Sequence, residues 1–357
     1  MTLSRVFKII SLMMFAAVLA GCGLVEGDGR HNQPLSSIVE GQLRTMGSGK
    51  NEAMLIRIYK DESALEVWKR VKDGSYKFFK TYEICNWSGE LGPKIKEGDR
   101  QAPEGFYSIT PGLMNPRSNY YLAFNTGFPN KFDRVHGRTG SDLMVHGDCS
   151  SRGCYAMTDE QIAEIYALGR EAFKGGQRTF ELQIFPFRMT AANMAKHRDS
   201  PHLDFWRNLK EGYDAFEISR RVPKWDVCEK HYIFNAAGGP LDAAGACPST
   251  STEPDLMAKV KAKQIADEAT FQTAAADFEA KAARKAEAAA EQAAREAAIA
   301  ERSAAVSEAV GERTEAISGA VGGFFSGITG IFGGSEGTET PASVVAPTPA
   351  PRTGTRG

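Results

Sequence analysis

Fifteen of the 27 residues between positions 274 and 300 are alanine. Alanine has the highest helix propensity, so this stretch predicts one long helix from about Asp255 to Ile317. At roughly 1.5 Å per residue such a helix reaches about 90 Å. Asp255 with Lys259, Asp277 with Lys281 and Glu291 with Arg295 are favourable i,i+4 pairs along it. A heptad runs through Phe271, Phe278, Ile299 and Val306, but Lys285 and Gln292 occupy the same register. A solvated single helix and a weak coiled coil both fit that pattern. Residues 318–357 are rich in Gly and then Pro, and read as a disordered tail. Within them, 319–334 also has an apolar helical face of a kind that touches membranes or partners.

The remaining residues must supply the globular part. The whole chain has 357 residues, 42% of them hydrophobic, which excludes a wholly disordered protein. Its formal net charge is -1, and no local basic patch offers itself to nucleic acid. Arg5 and Lys8 precede a short apolar run from Ile9 to Ala20, too short to span a membrane. A basic start, short apolar centre and small-residue end mark a secretory signal over residues 1–21. Leu19-Ala20-Gly21-Cys22 resembles a bacterial lipobox, which makes Cys22 the expected lipidation site. The expected location is the periplasm, with a membrane partner through the lipid anchor. Gly23 after that cysteine leans toward the inner leaflet of the outer membrane. Residues 22–50 read as a tether and 236–254 as a linker.

Between them, residues 51–235 show many strand signatures and few helical ones. Strands are expected over 51–60, 75–85, 103–110, 119–126, 143–146 and 179–187. Helices are expected over 158–174, capped by Thr158 or Asp159, and over 200–218. That pattern is mainly β, in the α+β class.

The chemistry concentrates in Met144-Val145-His146-Gly147-Asp148-Cys149-Ser150-Ser151-Arg152-Gly153-Cys154-Tyr155. A strand ends at His146, a tight loop follows, and Cys154 stands just before the predicted helix. There its thiolate gains from unsatisfied helix amides, and a nearby imidazole takes the thiol proton. Gly153 allows close backbone approach, so the amides of Gly153 and Cys154 form a candidate oxyanion hole. Taken alone, a structural thiol and a satisfied histidine eight residues apart would read the same way.

The full string resembles the L,D-transpeptidase (YkuD-type) catalytic domain, with Val145-His146-Gly147 and Ser151-Arg152-Gly153-Cys154 matching both halves of its signature. The resemblance is closest to the YafK-like branch. Ala102-Pro103-Glu104-Gly105-Phe106-Tyr107 is similar to that branch's strand entry. Tyr120-Tyr121-Leu122-Ala123-Phe124-Asn125 and His136-Gly137-Arg138-Thr139-Gly140-Ser141 also fit, as do Phe185-Pro186-Phe187 and Phe205-Trp206-Arg207. It covers residues 50–235. It implies an L,D-transpeptidase-like β-sandwich with peripheral helices, and acyl transfer on peptidoglycan stem peptides. Cys154 is then the nucleophile and His146 its base, oriented by a backbone carbonyl rather than an acidic residue. No cofactor or metal is implied.

Two departures bear on the acceptor. The loop from His-Gly to Gly-Cys is shorter than in crosslinking members, and Ala156 stands where arginine is common. A hydrolase that releases a lipoprotein from peptidoglycan is therefore the alternative, and a non-catalytic envelope tether is a further one. His136, 18 residues before Cys154, is a rival base or pocket residue. Arg138 and Arg152 are candidates for binding a substrate carboxylate. Cys85, Cys149, Cys228 and Cys247 allow three pairings, and a Cys149–Cys154 redox lock is a competing arrangement.

Overall fold

The computed structural model describes residues 29–150 and 153–329. The first elements are α1 (Ser37–Thr45), β1 (Met54–Tyr59), β2 (Ala64–Arg70), β3 (Tyr76–Glu83) and β4 (Asn86–Trp87). Then come β5 (Gly105–Ile109), β6 (Met114–Asn115), β7 (Ala123–Asn125), α2 (Lys131–Val135), β8 (Met144–His146) and β9 (Tyr155–Ala156). The chain continues with α3 (Asp159–Lys174), β10 (Phe180–Phe185), α4 (Ala191–Lys196) and α5 (Leu203–Ser219). It closes with β11 (Trp225–Cys228), β12 (His231–Phe234) and α6 (Pro254–Thr329).

Two five-stranded sheets, ordered β3-β2-β1-β10-β5 and β4-β9-β8-β7-β6, accompany a β11-β12 hairpin. Ile56, Ile58, Leu65 and Val67 of the first sheet share one core with Phe124, Val145 and Tyr155 of the second and Ile162 and Ile165 of α3. A second core lies on the first sheet's other face. There Tyr59, Phe106 and Phe185 meet Trp206 and Leu209 of α5 and Tyr232 and Phe234 of the hairpin. The fold is therefore mixed α and β, as the sequence pattern predicts.

The second core explains a departure from that pattern. Arg57 between Ile56 and Ile58 ordinarily marks a strand face in water. Every residue of β1 is buried, Arg57 included. Its guanidinium pairs with Glu217 of α5 and lies over the rings of Tyr213 and Phe216. A buried charge needs such a partner and such packing to offset its lost hydration.

Three boundaries move. Residues 29–50 are folded rather than a free tether. Ser36 caps α1 by accepting from the Val39 amide, and Leu35, Val39 and Leu43 are buried. The expected linker after 235 is tied down by a Cys228–Cys247 disulfide and a bridge between Ala236 and Ser251. Finally, α6 runs to Thr329, past the expected end near Ile317.

The chain divides into compact units Met1–Ala280 and Lys281–Gly357. In the first unit the opening turns of α6 belong to the core, since Val260, Phe271 and Ala275 are buried. Lys210 of α5 pairs with Asp267 there. In the second unit, residues 281–320 are exposed throughout, Ile299 and Val306 included. The tail from 330 onward lies outside the described residues.

Candidate active site

β8 lies between β7, which is antiparallel to it, and β9, which is parallel. Val145, with no exposed surface, anchors the strand in the core. Tyr155 does the same for β9, its hydroxyl donating to the Pro103 carbonyl at 2.7 Å. The parallel register sets His146 beside Ala156 and Val145 beside Tyr155. Cys154, just before β9, thereby comes to the start of β8. The Met144 amide donates to Cys154 Sγ at 3.4 Å, and the thiol points at the Asp142 carbonyl 3.7 Å away. His146 is two residues further along β8. Alternate residues of a strand share a face, so Met144 and His146 lie on one side of it.

His146 is oriented from its own backbone. Nδ1 is 2.6 Å from the Gly147 carbonyl oxygen. A carbonyl only accepts, so Nδ1 carries the proton and neutral His146 keeps Nε2 as a base. The ring also rests against Tyr120, with centroids 4.7 Å apart. Burial of the imidazole pulls its pKa below the ordinary 6.5, opposed by the Gly147 carbonyl and by Asp148. Burial also raises the Cys154 thiol above its ordinary value, while the Met144 amide and Lys94 favour its thiolate. The resting pair is accordingly a neutral thiol and a neutral imidazole.

This corrects one expectation. Tyr155–Ala156 form a strand and α3 starts only at Asp159, with Thr158 as cap. Cys154 is thus removed from the helix N-terminus, and that dipole effect fades within about one turn.

The start of the loop after His146 is held at several points. Gly147 has no room for a side chain, since a Cβ there would sit 2.5 Å from Asp159 Oδ1 and 3.0 Å from the Tyr120 carbonyl oxygen. Asp159 also accepts from the Asp148 amide at 2.9 Å. Asp148 and Cys149 both adopt positive φ, at 67° and 42°. Gly153 has φ 130° but an open Cβ direction, meeting only Leu143 at 3.7 Å, so conformation and not space calls for glycine there. Cys149 is disulfide-bonded to Cys85. The Cys149–Cys154 redox lock is therefore not the arrangement found.

The other candidates are placed differently. His136 ends α2, with Nε2 2.8 Å from the Lys230 carbonyl and its ring 4.3 Å from Phe132. Arg138 is buried, bonded to Asp133 at 2.9 Å and stacked over Phe132 and Phe205. A substrate carboxylate would have to displace that pair, so its geometry fits a structural role better than substrate binding. Arg152 and Cys22 lie outside the described residues. Tyr120 and Lys94 are additions that the local sequence does not signal, because each reaches the site from a distant segment, and Asp159 is a third, five residues after Cys154. Lys94 bonds Asp99 at 2.5 Å and lies within electrostatic reach of the thiol.

Among models of protein families, none matches this chain. The Escherichia coli K12 protein named "Putative L,D-transpeptidase YafK" is 42% identical over 231 residues, 65% of this chain and 91% of that one. Its namesake from Escherichia coli O157:H7 gives the same figures. The helical cell shape determining protein Pgp2 from Campylobacter jejuni is 25% identical, with a TM-score of 0.30, over 43% of this chain and 55% of that one. Bd1075 from Bdellovibrio bacteriovorus is 23% identical, with a TM-score of 0.28, over 38% and 49%. The chain thus spans about half the length of these two structures.

Proposed function

This chain belongs to the L,D-transpeptidase family, in its YafK-like branch, and we propose that it is a cysteine acyltransferase acting on peptidoglycan stem peptides. The observation that carries the reading is that β8 holds both a carbonyl-oriented imidazole and, two residues earlier, the amide that bonds the thiol.

In this reading His146 Nε2 takes the Cys154 proton as Sγ attacks a stem-peptide carbonyl carbon. The Gly153 and Cys154 amides stabilise the tetrahedral oxyanion. The C–N bond breaks, the imidazolium returns its proton to the departing amine, and an acyl thioester remains. A second nucleophile, deprotonated by His146, then attacks the thioester carbonyl; the C–S bond breaks and the imidazolium returns its proton to the departing Cys154 thiolate. If it is an amine the outcome is transfer; if it is water the outcome is hydrolysis. Burial favours the neutral form of both groups, so Cys154 depends on His146 to take its proton.

Ala156 favours hydrolysis as the second reading. It is fully buried beside His146, so this position offers no cationic side chain to an acceptor stem peptide. The product is then release of a peptidoglycan-linked partner such as a lipoprotein. We place the enzyme in the periplasm, lipid-anchored at Cys22 and on the inner leaflet of the outer membrane. The lipobox motif supports this, and the Cys85–Cys149 and Cys228–Cys247 pairs suit an oxidising compartment.

The test is incubation of the mature chain with peptidoglycan, followed by mass spectrometry of Cys154. A stem-peptide thioester on the wild type, absent from Cys154→Ala, is expected. Equal products from the two proteins would remove the reading. New crosslinks indicate transfer, and loss of existing attachments indicates hydrolysis. Full rescue of deletion cells by Cys154→Ala would favour a tether instead.

A further inference from the structure

The stretch ahead of α1 reaches the candidate base through a continuous chain of contacts. Residues Arg30–Asn32 form a single 3-10 turn with no buried residue of its own. The turn is nevertheless pinned at several points. Arg170 of α3 donates to the His31 carbonyl and, at 2.9 Å, to the Gln33 carbonyl. Arg30 donates to the Ser118 carbonyl at 3.2 Å, and its guanidinium lies 5.1 Å from the centre of the Tyr121 ring.

Ser118 and Tyr121 bracket the residue that touches the base. The Ser118 hydroxyl accepts from the Tyr120 amide at 3.0 Å. Tyr121 holds a positive φ of 65°, a conformation that a bulky residue adopts only when its surroundings enforce it. Between them, the Tyr120 ring lies on the His146 imidazole, and the Tyr120 carbonyl accepts from the Gly147 amide at 3.0 Å. Gly147 in turn supplies the carbonyl that fixes the imidazole tautomer. Tyr120 remains 46% exposed, so packing of its own ring does not lock it in place.

We propose that the N-terminal strap, residues 29–34, belongs to the active site, with Arg30 acting through Ser118 and Tyr121 as a positioning residue that sets Tyr120 against His146. The inference rests on the reading of His146 as the base. A group that acts by orienting a base lowers turnover when lost and leaves substrate affinity alone. It also governs how much water reaches the imidazole.

The experiment uses the full mature chain carrying Arg30→Ala or Tyr120→Ala. Turnover is followed on peptidoglycan fragments, and the His146 ring is titrated by NMR. Both variants are expected to lower kcat about 10- to 100-fold with KM unchanged. In both, the His146 titration should move up toward the ordinary imidazole value as water reaches the ring. Tyr120→Phe, which keeps the ring, should restore the wild-type titration. Leu35, Val39 and Leu43 hold α1 independently, so the melting temperature of Arg30→Ala should stay close to that of wild type. Wild-type kcat and an unmoved His146 titration in Arg30→Ala, beside an inactive Cys154→Ala, would overturn the proposal and leave the enzyme reading intact. Repeating the titration in Cys154→Ala requires no turnover. The strap is therefore judged even if the enzyme reading fails.

Discussion

His136 and His146 have nearly the same local surroundings. Each imidazole bonds a backbone carbonyl, Lys230 for His136 and Gly147 for His146. Each lies against an aromatic ring, Phe132 in one case and Tyr120 in the other. Burial lowers the pKa of both. Position separates them. His146 ends a strand that runs beside β9, whereas His136 ends a five-residue helix and uses Nε2 on the hairpin turn. The nitrogen left over differs as well, and only His146 keeps Nε2 as a neutral acceptor. The contrast teaches that a favourable imidazole environment recurs within one fold, and that strand position is what sets His146 apart from His136.

The sharpest way to break this contrast is to remove each ring. His146→Ala should lower kcat/KM by about 10²- to 10⁴-fold, the usual worth of general-base catalysis. His136→Ala should stay within a few-fold. Steady-state assays on peptidoglycan fragments decide it, and the reverse ranking would make His136 the base.

Crowding the His146 anchor comes next. Gly147→Ala drives a Cβ against Asp159 and the Tyr120 carbonyl. Overpacking of this kind costs about 1–3 kcal/mol, so thermal melting should register it together with reduced kcat. An unchanged melting temperature and rate would show that the carbonyl anchor is dispensable.

A smaller effect should appear in the pH profile. In the proposed mechanism activity needs neutral His146, whose folded pKa lies below 6.5, so kcat/KM should rise with pH along an acid limb whose midpoint lies below that value. The same shift affects stability. The folded chain binds fewer protons on this ring than the unfolded chain does. Its contribution is thus fully present above 6.5 and is lost as pH falls through the lower folded value. Melting curves of wild type and His146→Ala should differ in slope over that acidic window. His136→Ala should leave the kinetic acid limb where it is.

The smallest change is expected from Lys230→Ala. It leaves the carbonyl on His136 in place and alters only an exposed side chain. Its effect on stability should be within about 0.5 kcal/mol, as for most surface substitutions.

Much of this site was legible in the linear chain. Val145-His146-Gly147 and Gly153-Cys154 carry the chemistry within ten residues, and local spacing is what sequence reading measures best. The α3 start was legible for the same reason, since Thr158 and Gln161 make a capping box within four residues. The short strand Tyr155–Ala156 was not. It exists because β8 pairs with it in parallel, and that partner is no part of its own sequence. Tyr120 and Arg30 were hidden likewise, each brought there by contacts between distant segments.

The long helix divides in the same way. Its alanine content alone predicts the helix from about Asp255 to Ile317, because propensity is a property of each residue and adds along the chain, but does not predict its continuation through the Gly-rich stretch to Thr329. Composition does not decide where the helix is covered. Phe271 and Ala275 are buried because α4 and α5 present an apolar face to them, while Ile299 and Val306, in the same heptad register as Phe271, stay exposed. By itself, then, the sequence determined the family, the thiol-imidazole pair and the helical extension, since these rest on residue identity and short spacing. Only the tertiary structure decided which histidine shares a strand with the amide that bonds the thiol, which cysteines pair and what holds His146 in place, because those depend on strand pairing and on contacts between separate segments.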